Sequence, residues 1–511
     1  MSVNASAMNG ADEHTPLVRR ASEAHDNIPD QREGEVKNSR ERARTRLAVF
    51  CFTIVAYLYN FGTVAAQTAL LEHIICNQHF QQVPHVHPDC TDDSVQRELA
   101  IVSQGELTAK LLPGLLLNLP YGILADRIGR RTVFGMSLVG ILLSQGLTMF
   151  ILWQADIFSP KLIWFAHAFR IIGGGEAVAV TMIFAALADV FPADARATVF
   201  AQIASAAWAC QLVAPLLGAF LMLTSPWVPL LSGYALFACG SLISLYTLPE
   251  TAPSKAQDSA PHLDQSTSHH PTASILVRCS AQCRLWVVLF CQYCKNIFSV
   301  KGALPLLFGF FTTTIGDSAA GFELQYVHKR YGWSYSYAAA IMTVRSAVAL
   351  AVLSVFLPLC NRIAASAKGW STNDRDIAIM RTAAAFLTIG ALVLSAASTS
   401  WTAILAFIFL AFGAPLTVVG KSLLTALGPK EMAGTLLSSI NTAASLGAVV
   451  AGPILAASFQ HGLRKGGSWI GFPLLVIALF YASGFISVLC VRASKAADVA
   501  SKHNIDDGET A

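Results

Sequence analysis

The stretch "YGILADRIGRRTVFG" (Tyr121–Gly135) puts one acid, three arginines and two glycines into the ten residues Gly122–Arg131, between two long apolar runs. Charge of that density beside hydrocarbon either performs chemistry or holds something in place. Composition narrows the choice. Of 511 residues, 54% are hydrophobic and 13% charged, against about 25% charged in a soluble protein. Mean hydropathy is +0.53. Apolar runs long enough to cross a bilayer recur along the whole chain. The net charge of +4 is spread without a basic stripe, which excludes nucleic acid as a partner.

Twelve runs fall near 47–70, 99–121, 132–154, 162–188, 197–222, 226–248, 302–326, 335–360, 381–399, 401–423, 434–459 and 468–491. Each spans ~30 Å as a helix. "TSPW" (Thr224–Trp227) and "STSW" (Ser398–Trp401) are short polar turns that make tight hairpins. With the N-terminus inside, six basic residues lie outside: Arg97, Lys161, Lys329, Arg330, Arg464 and Lys465. Three lie in spans and 26 lie inside. That bias places both ends, and the opening stretch, in the cytosol.

The expected organisation is an all-α membrane protein. Residues 1–46 read as a disordered cytosolic tail without a signal peptide, and 47–250 as an N-terminal six-helix bundle. A cytosolic linker with an interfacial helix follows at 251–301, then a second six-helix bundle at 302–491 and a cytosolic tail at 492–511. "EHTPLV" (Glu13–Val18) loosely matches an acidic dileucine signal, but reads first as plain tail. The eleven cysteines are scattered and form no disulfide framework. Cys279, Cys283, Cys291 and Cys294 have the spacing of a zinc quartet, but apolar residues fill the spacer and read first as a helix with buried or bilayer-facing cysteines, so no metal site is expected. Cys76 and Cys90 differ: they are the two cysteines of one outer loop, and an oxidising exterior predicts a disulfide between them. His79, His85 and His87 in that loop read as solvated.

The two halves resemble each other. Pro192 and Thr198 match Pro429 and Thr435 at an offset of 237; Pro215 matches Pro453 at 238, and Arg127 matches Arg362 at 235. Parallel six-helix repeats around a midplane site are a transporter architecture. Gly122, Asp126, Arg127, Gly129, Arg130 and Arg131 follow the G-x-x-x-D-R-x-G-R-R/K loop of the major facilitator superfamily, which the chain resembles over about 46–492. Arg170 with Gly174 resembles that family's fourth-helix motif, and "LPET" (Leu248–Thr251) the end of its sixth helix. The antiporter motif of the fifth helix is degraded at Cys210–Ala219. The general look is similar to fungal facilitators of drugs and secondary metabolites. The resemblance implies that the loop latches the two halves when the outside is open. Asp126 and Arg130 then act as gate residues, with Arg196 as the natural partner of Asp126. Gly122 and Gly129 would let backbones turn and approach.

Ionisable residues inside the membrane are functional candidates. At 1.5 Å per residue, Glu106 and Arg170 lie about 12 Å deep, and Asp317 and Arg345 about 13–15 Å. Asn60 and Lys110 lie near the same level, and Lys110 and Arg345 are repeat mates. Asp317 with Arg345 is the first-choice coupling pair; Glu106 with Lys110 or Arg170 is the second. Glu176 falls 120° round a regular helix from Arg170 and is expected to face away. The small, polar "TTTIGDSAAG" (Thr312–Gly321) predicts an unwound segment lining the site.

These observations predict a monomeric secondary transporter in contact with lipid. It moves a small organic molecule by alternating access, with protons as coupling ion and efflux of a drug or secondary metabolite as its direction. The plasma membrane is preferred to the vacuole. The rivals are a proton-coupled importer of an organic anion or nutrient, and a non-transporting nutrient sensor. No phosphate loop or hydrolase motif is present in the sequence, so neither an enzyme nor a cofactor is expected.

Overall fold

A computed structural model describes residues 15–81, 89–191, 193–250, 300, 302–360, 372–427 and 433–491. Its helices in chain order are α1 (Thr15–Gln81), α2 (Asp93–Ile128), α3 (Arg130–Trp153), α4 (Pro160–Val190), α5 (Ala193–Met222) and α6 (Trp227–Thr247). Then come α7a (Ala303–Asp317), α7b (Ala320–Tyr331), α8 (Tyr335–Cys360), α9 (Thr372–Ala396), α10a (Ser400–Ala411), α10b (Pro415–Leu427), α11 (Ala433–Lys465) and α12 (Phe472–Leu489). Ten of these spans are long and apolar enough to cross a membrane as they stand. An eleventh is α2, bent by 57° before Pro120. The apolar run expected at 302–326 is divided between α7a, a shorter apolar helix, and α7b.

Two features depart from expectation. Residues 15–46 read as an irregular tail, yet α1 is helical from Thr15 and becomes apolar enough to span only from Ser39. The segment is rich in Glu, Arg and Ala, which favour helix in the absence of packing. The first loop is also shorter than the apolar runs suggest, because α1 extends to Gln81 and α2 starts at Asp93. Asp92 caps α2: its carboxylate accepts from the Ser94 hydroxyl and from the Ser94 amide at 2.8 Å. Those two bonds, the hydroxyl first, hold the carboxyl below the ordinary range.

The spans pack as two bodies. One buried core runs from Ala48 to Leu248, the other chiefly from Val300 to Val491. They meet where α2 lies on α11 and α5 lies on α8. These two contacts exchange under the internal repeat. Small residues make them close: a Cβ on Gly452 of α11 would stand 2.6 Å from the Gln104 carbonyl of α2. Thr108 donates across the same seam to the Val449 carbonyl at 3.4 Å, and Ser336 of α8 donates to the Ala219 carbonyl of α5 at 2.8 Å.

Within the first body α5 crosses α1 at Gly218, where a Cβ would lie 2.1 Å from the Gly62 carbonyl oxygen. Gly218→Ala should therefore cost about 1–3 kcal/mol. Gly321→Ala, whose Cβ meets nothing within 4 Å, should leave stability level or raise it. Thermal unfolding in detergent checks both; equal midpoints for the two variants would contradict this packing.

Candidate functional site

Two spans, α4 and α7, are interrupted where charges sit, and a third, α10, is broken without one. In α4 the regular helix gives way to a tighter turn at His167–Ile171, and the chain then passes Gly173, Gly174 and Gly175 with φ of +79°, +75° and +69°. Only glycine takes three such residues in succession without strain. A Cβ on Gly173 would also stand 2.2 Å from the Ser137 amide nitrogen. Backbone groups freed by the break find partners, as burial away from water requires. Tyr121 donates to the Ile171 carbonyl and accepts from the Gly173 amide, both at 2.9 Å. Ser137 donates to the Gly173 carbonyl at 2.6 Å. The other breaks are Ser318–Ala319 between α7a and α7b, inside the stretch expected to unwind, and Phe412–Ala414 in α10.

The α4 break overturns one expectation. Glu176 does not face away from Arg170: a guanidinium nitrogen of Arg170 lies 3.2 Å from its carboxylate, and so does Lys110 Nζ. Counting 100° per residue fails because residues 167–174 are not α-helical. Lys110 also donates to Asn60 Oδ1 at 2.7 Å. Glu106 is engaged elsewhere than with Lys110 or Arg170. It accepts from Gln67 at 2.7 Å and stands 3.5 Å from His167 Nε2. The other ring nitrogen of His167 meets Ser144 Oγ at 2.8 Å, and Arg170 Nε donates to the same hydroxyl at 3.3 Å.

In the second body Arg345 of α8 is forked between two acids. It approaches Asp317, at the end of α7a, at 3.4 Å and Glu323 of α7b at 3.2 Å. Tyr481 of α12 donates to Asp317 at 3.2 Å. Glu323 is buried, whereas Asp317 opens to a cavity. The sequence reading missed Glu323, His167 and Tyr481. One signal was available: each acid–base cluster has two charged residues six apart, Arg170 with Glu176 and Asp317 with Glu323, across a run of small residues.

The cavity holds about 700 Å³ between the two bodies. Aromatic side chains of the first body line it (Phe52, Tyr57, Phe61 and Trp208), with Asn60 and Glu176. Asp317, Glu323 and Arg345 line the opposite wall. Lys110, Arg170 and Glu106 are not among its lining residues.

Beyond the cavity the bodies are locked together near the first loop, where Cys76 and Cys90 form a disulfide. Glu72 of α1 accepts from Gln96 and from Tyr335 OH at 3.1 Å, and His328 Nε2 stands 3.2 Å away. His328 stacks on Tyr335 and its Nδ1 meets the Trp333 carbonyl at 2.5 Å. Gln325 donates to Gln96 Oε1 at 3.0 Å, and Lys329 pairs with Asp93 at 2.8 Å and donates to the Thr91 carbonyl. Along α1 the cavity is lined from Phe52 to Ala65, so it lies on the far side of this lock, toward the opening motif.

At the motif, Gly129 turns the chain between α2 and α3 with φ of +100°. Gly122 makes no close approach; a Cβ there would meet nothing within 4 Å. Arg130 pairs with Asp189 of α4 at 2.6 Å, and Arg131 donates to the Leu245 carbonyl at 3.0 Å. Arg127 and Asp126 are exposed. The Arg196 side chain, Arg362, the linker cysteines, His85 and His87 lie outside the described residues.

A bundle of apolar spans, broken at paired charges around a central cavity, is the architecture of a secondary membrane transporter. The solved D-xylose-proton symporter has this fold (TM-score 0.58, 15% identity, 86% of this chain and 97% of that one). So does the POT family transporter PepTSo (TM-score 0.59, 12% identity, 87% and 96%). The family profile described as Major Facilitator Superfamily matches residues 106–452, and the chain belongs to that superfamily. It is a transporter, not an enzyme. Similar proteins include the efflux pump ustT of Aspergillus flavus, 28% identical over 79% of this chain and 80% of that protein. The MFS efflux pump atnC of Emericella nidulans is 27% identical over 81% and 80%.

Glu176 meets the buried Arg170 and the half-buried Lys110, so its loss leaves a buried cation without its acid. Glu176→Gln should lower stability by about 1–3 kcal/mol. Lys110→Met in the same chain should recover part of that loss. Thermal midpoints of the single and double variants check this; additive losses would contradict the cluster.

Proposed function

We propose that this transporter exports a small organic molecule in exchange for protons. The single observation that carries the proposal is the Asp317–Arg345–Glu323 fork on the wall of a cavity shared by both bodies. A proton or a substrate group arriving there competes with the ion pair, and that competition couples one flux to the other. The names of ustT and atnC favour the outward direction. The anion-import alternative loses support, since Lys110 and Arg170 turn onto Glu176 and leave three acids and one base on the cavity wall.

The two bodies correspond to the 47–250 and 302–491 bundles, with 251–301 and both tails in the cytosol. The lock at the disulfide is then the outer gate, shut here, and the cavity belongs to a cytosol-facing state. Asp126, exposed in this state, forms its latch when the motif end closes, with Arg130–Asp189 holding the loop in place. The protein works as a monomer, in the plasma membrane.

Flux into vesicles under an imposed pH gradient tests the proposal. Asp317→Asn should abolish pH-driven accumulation yet keep exchange of substrate down its own gradient. Asp126→Asn should slow turnover on the order of tenfold, the loss of one charge-assisted contact of about 1.5 kcal/mol, with little change in affinity. Normal accumulation by Asp317→Asn would place coupling elsewhere.

A further inference from the structure

The two charge clusters differ in their balance. In the first body the acids Glu106 and Glu176 are matched by the cations Lys110 and Arg170, and His167 stands beside Glu106. In the second body Asp317 and Glu323 share one cation, Arg345. The neighbours do not make up the difference. Tyr481 on α12 brings a neutral hydroxyl. On α10b the one base is Lys421, a turn past the cavity-lining Thr417 toward the motif and exposed. The charged residues of α9 sit in its first three turns, and the titratable residues of α11, His461, Arg464 and Lys465, in its last two. Across the cavity stands Glu176, another acid, already neutralised by its own two cations. With both carboxyls ionised, the fork carries one uncompensated negative charge, and Glu323 holds its share of it buried, which is costly.

We propose, building on the exporter reading above, that the fork is a site for one exchangeable positive charge, filled by a single proton at rest and by a cationic group of the exported molecule during transport. The geometry supports both occupants. Asp317 and Glu323 meet the same guanidinium, so one proton on either carboxyl leaves the other matched to Arg345. Asp317 faces the cavity, where an ammonium group can reach it. The first body's wall is aromatic, with Tyr57 and Phe61 stacked at 5.8 Å and Trp208 also lining the cavity, which suits a flat apolar body and attracts a cation at its face. The ligand class is therefore an amphipathic monocation, and one proton leaves for each cation bound.

The test has two arms on the purified full chain. In the first, infrared difference spectroscopy between neutral and alkaline pH reads protonated carboxyl groups without any ligand. The wild type should show one such group, and either Asp317→Asn or Glu323→Gln alone should remove it, because each variant leaves one acid matched to Arg345. A signal absent from the wild type, or surviving in either variant, overturns the shared proton. In the second arm ethidium, a flat aromatic monocation, is added in weakly buffered solution. About one proton should be released per ethidium bound by the wild type and none by Glu323→Gln. Failure to bind, or binding without release, overturns the cation class. The first arm reads the site even if the chain does not export, while pH-driven export of neutral compounds alone would leave the exporter reading standing and refute only this inference.

Discussion

A charge that cannot reach water must be met by another charge, and this constraint shapes the breaks in α4 and α7. An unbroken α4 would aim Glu176 away from Arg170, leaving that buried cation and Lys110 without this acid. The break at Gly173–Gly175 turns the carboxylate back onto both cations. That break in turn exposes backbone groups, and Tyr121 and Ser137 are placed to satisfy them. The same logic holds at α7, where the interruption between Asp317 and Glu323 lets both acids approach Arg345. Irregular backbone is tolerated here because neighbouring side chains satisfy the groups it frees.

The two bodies use the constraint differently. In the first the charges are closed on one another and most stand behind the cavity wall. In the second they lie on the wall, one acid open to it. A closed cluster is a support for a broken helix; an open, unbalanced one is a place for exchange. The outer lock is of a third kind. Its groups come from both bodies, Glu72 and Gln96 from one and Gln325, His328, Lys329 and Tyr335 from the other, so it exists only while the bodies stand together at that end.

Much of this was legible in the sequence. The motif around Asp126, the twelve apolar runs and the near-constant offset between halves are all properties of residue type and spacing. Asp317 and Arg345 were found because depth follows from counting along a span. Glu176 was misplaced because the same counting assumes a regular helix. The glycine run 173–175 was the warning that it would fail. Glu323 and His167 were passed over because a partner's identity depends on which helices are neighbours, and one chain read alone does not state that. The roles of Gly122 and Arg130 were similarly hidden: whether a glycine is closely approached, and which acid an arginine meets, are decided by the fold around them.

If the two bodies rock about the cavity, the distance across the outer lock must change, and the distance across the motif end must change the opposite way. Spin labels on unnatural amino acids, which avoid the eleven native cysteines, can be set at Glu98 and Arg330 for the outer end and at Arg127 and Ala433 for the motif end. Electron spin distance measurements in nanodiscs, repeated across pH, should give two populations at each pair. The short outer distance should accompany the long motif-end distance, with pH shifting their ratio. A single distance at both ends under every condition would contradict alternating access.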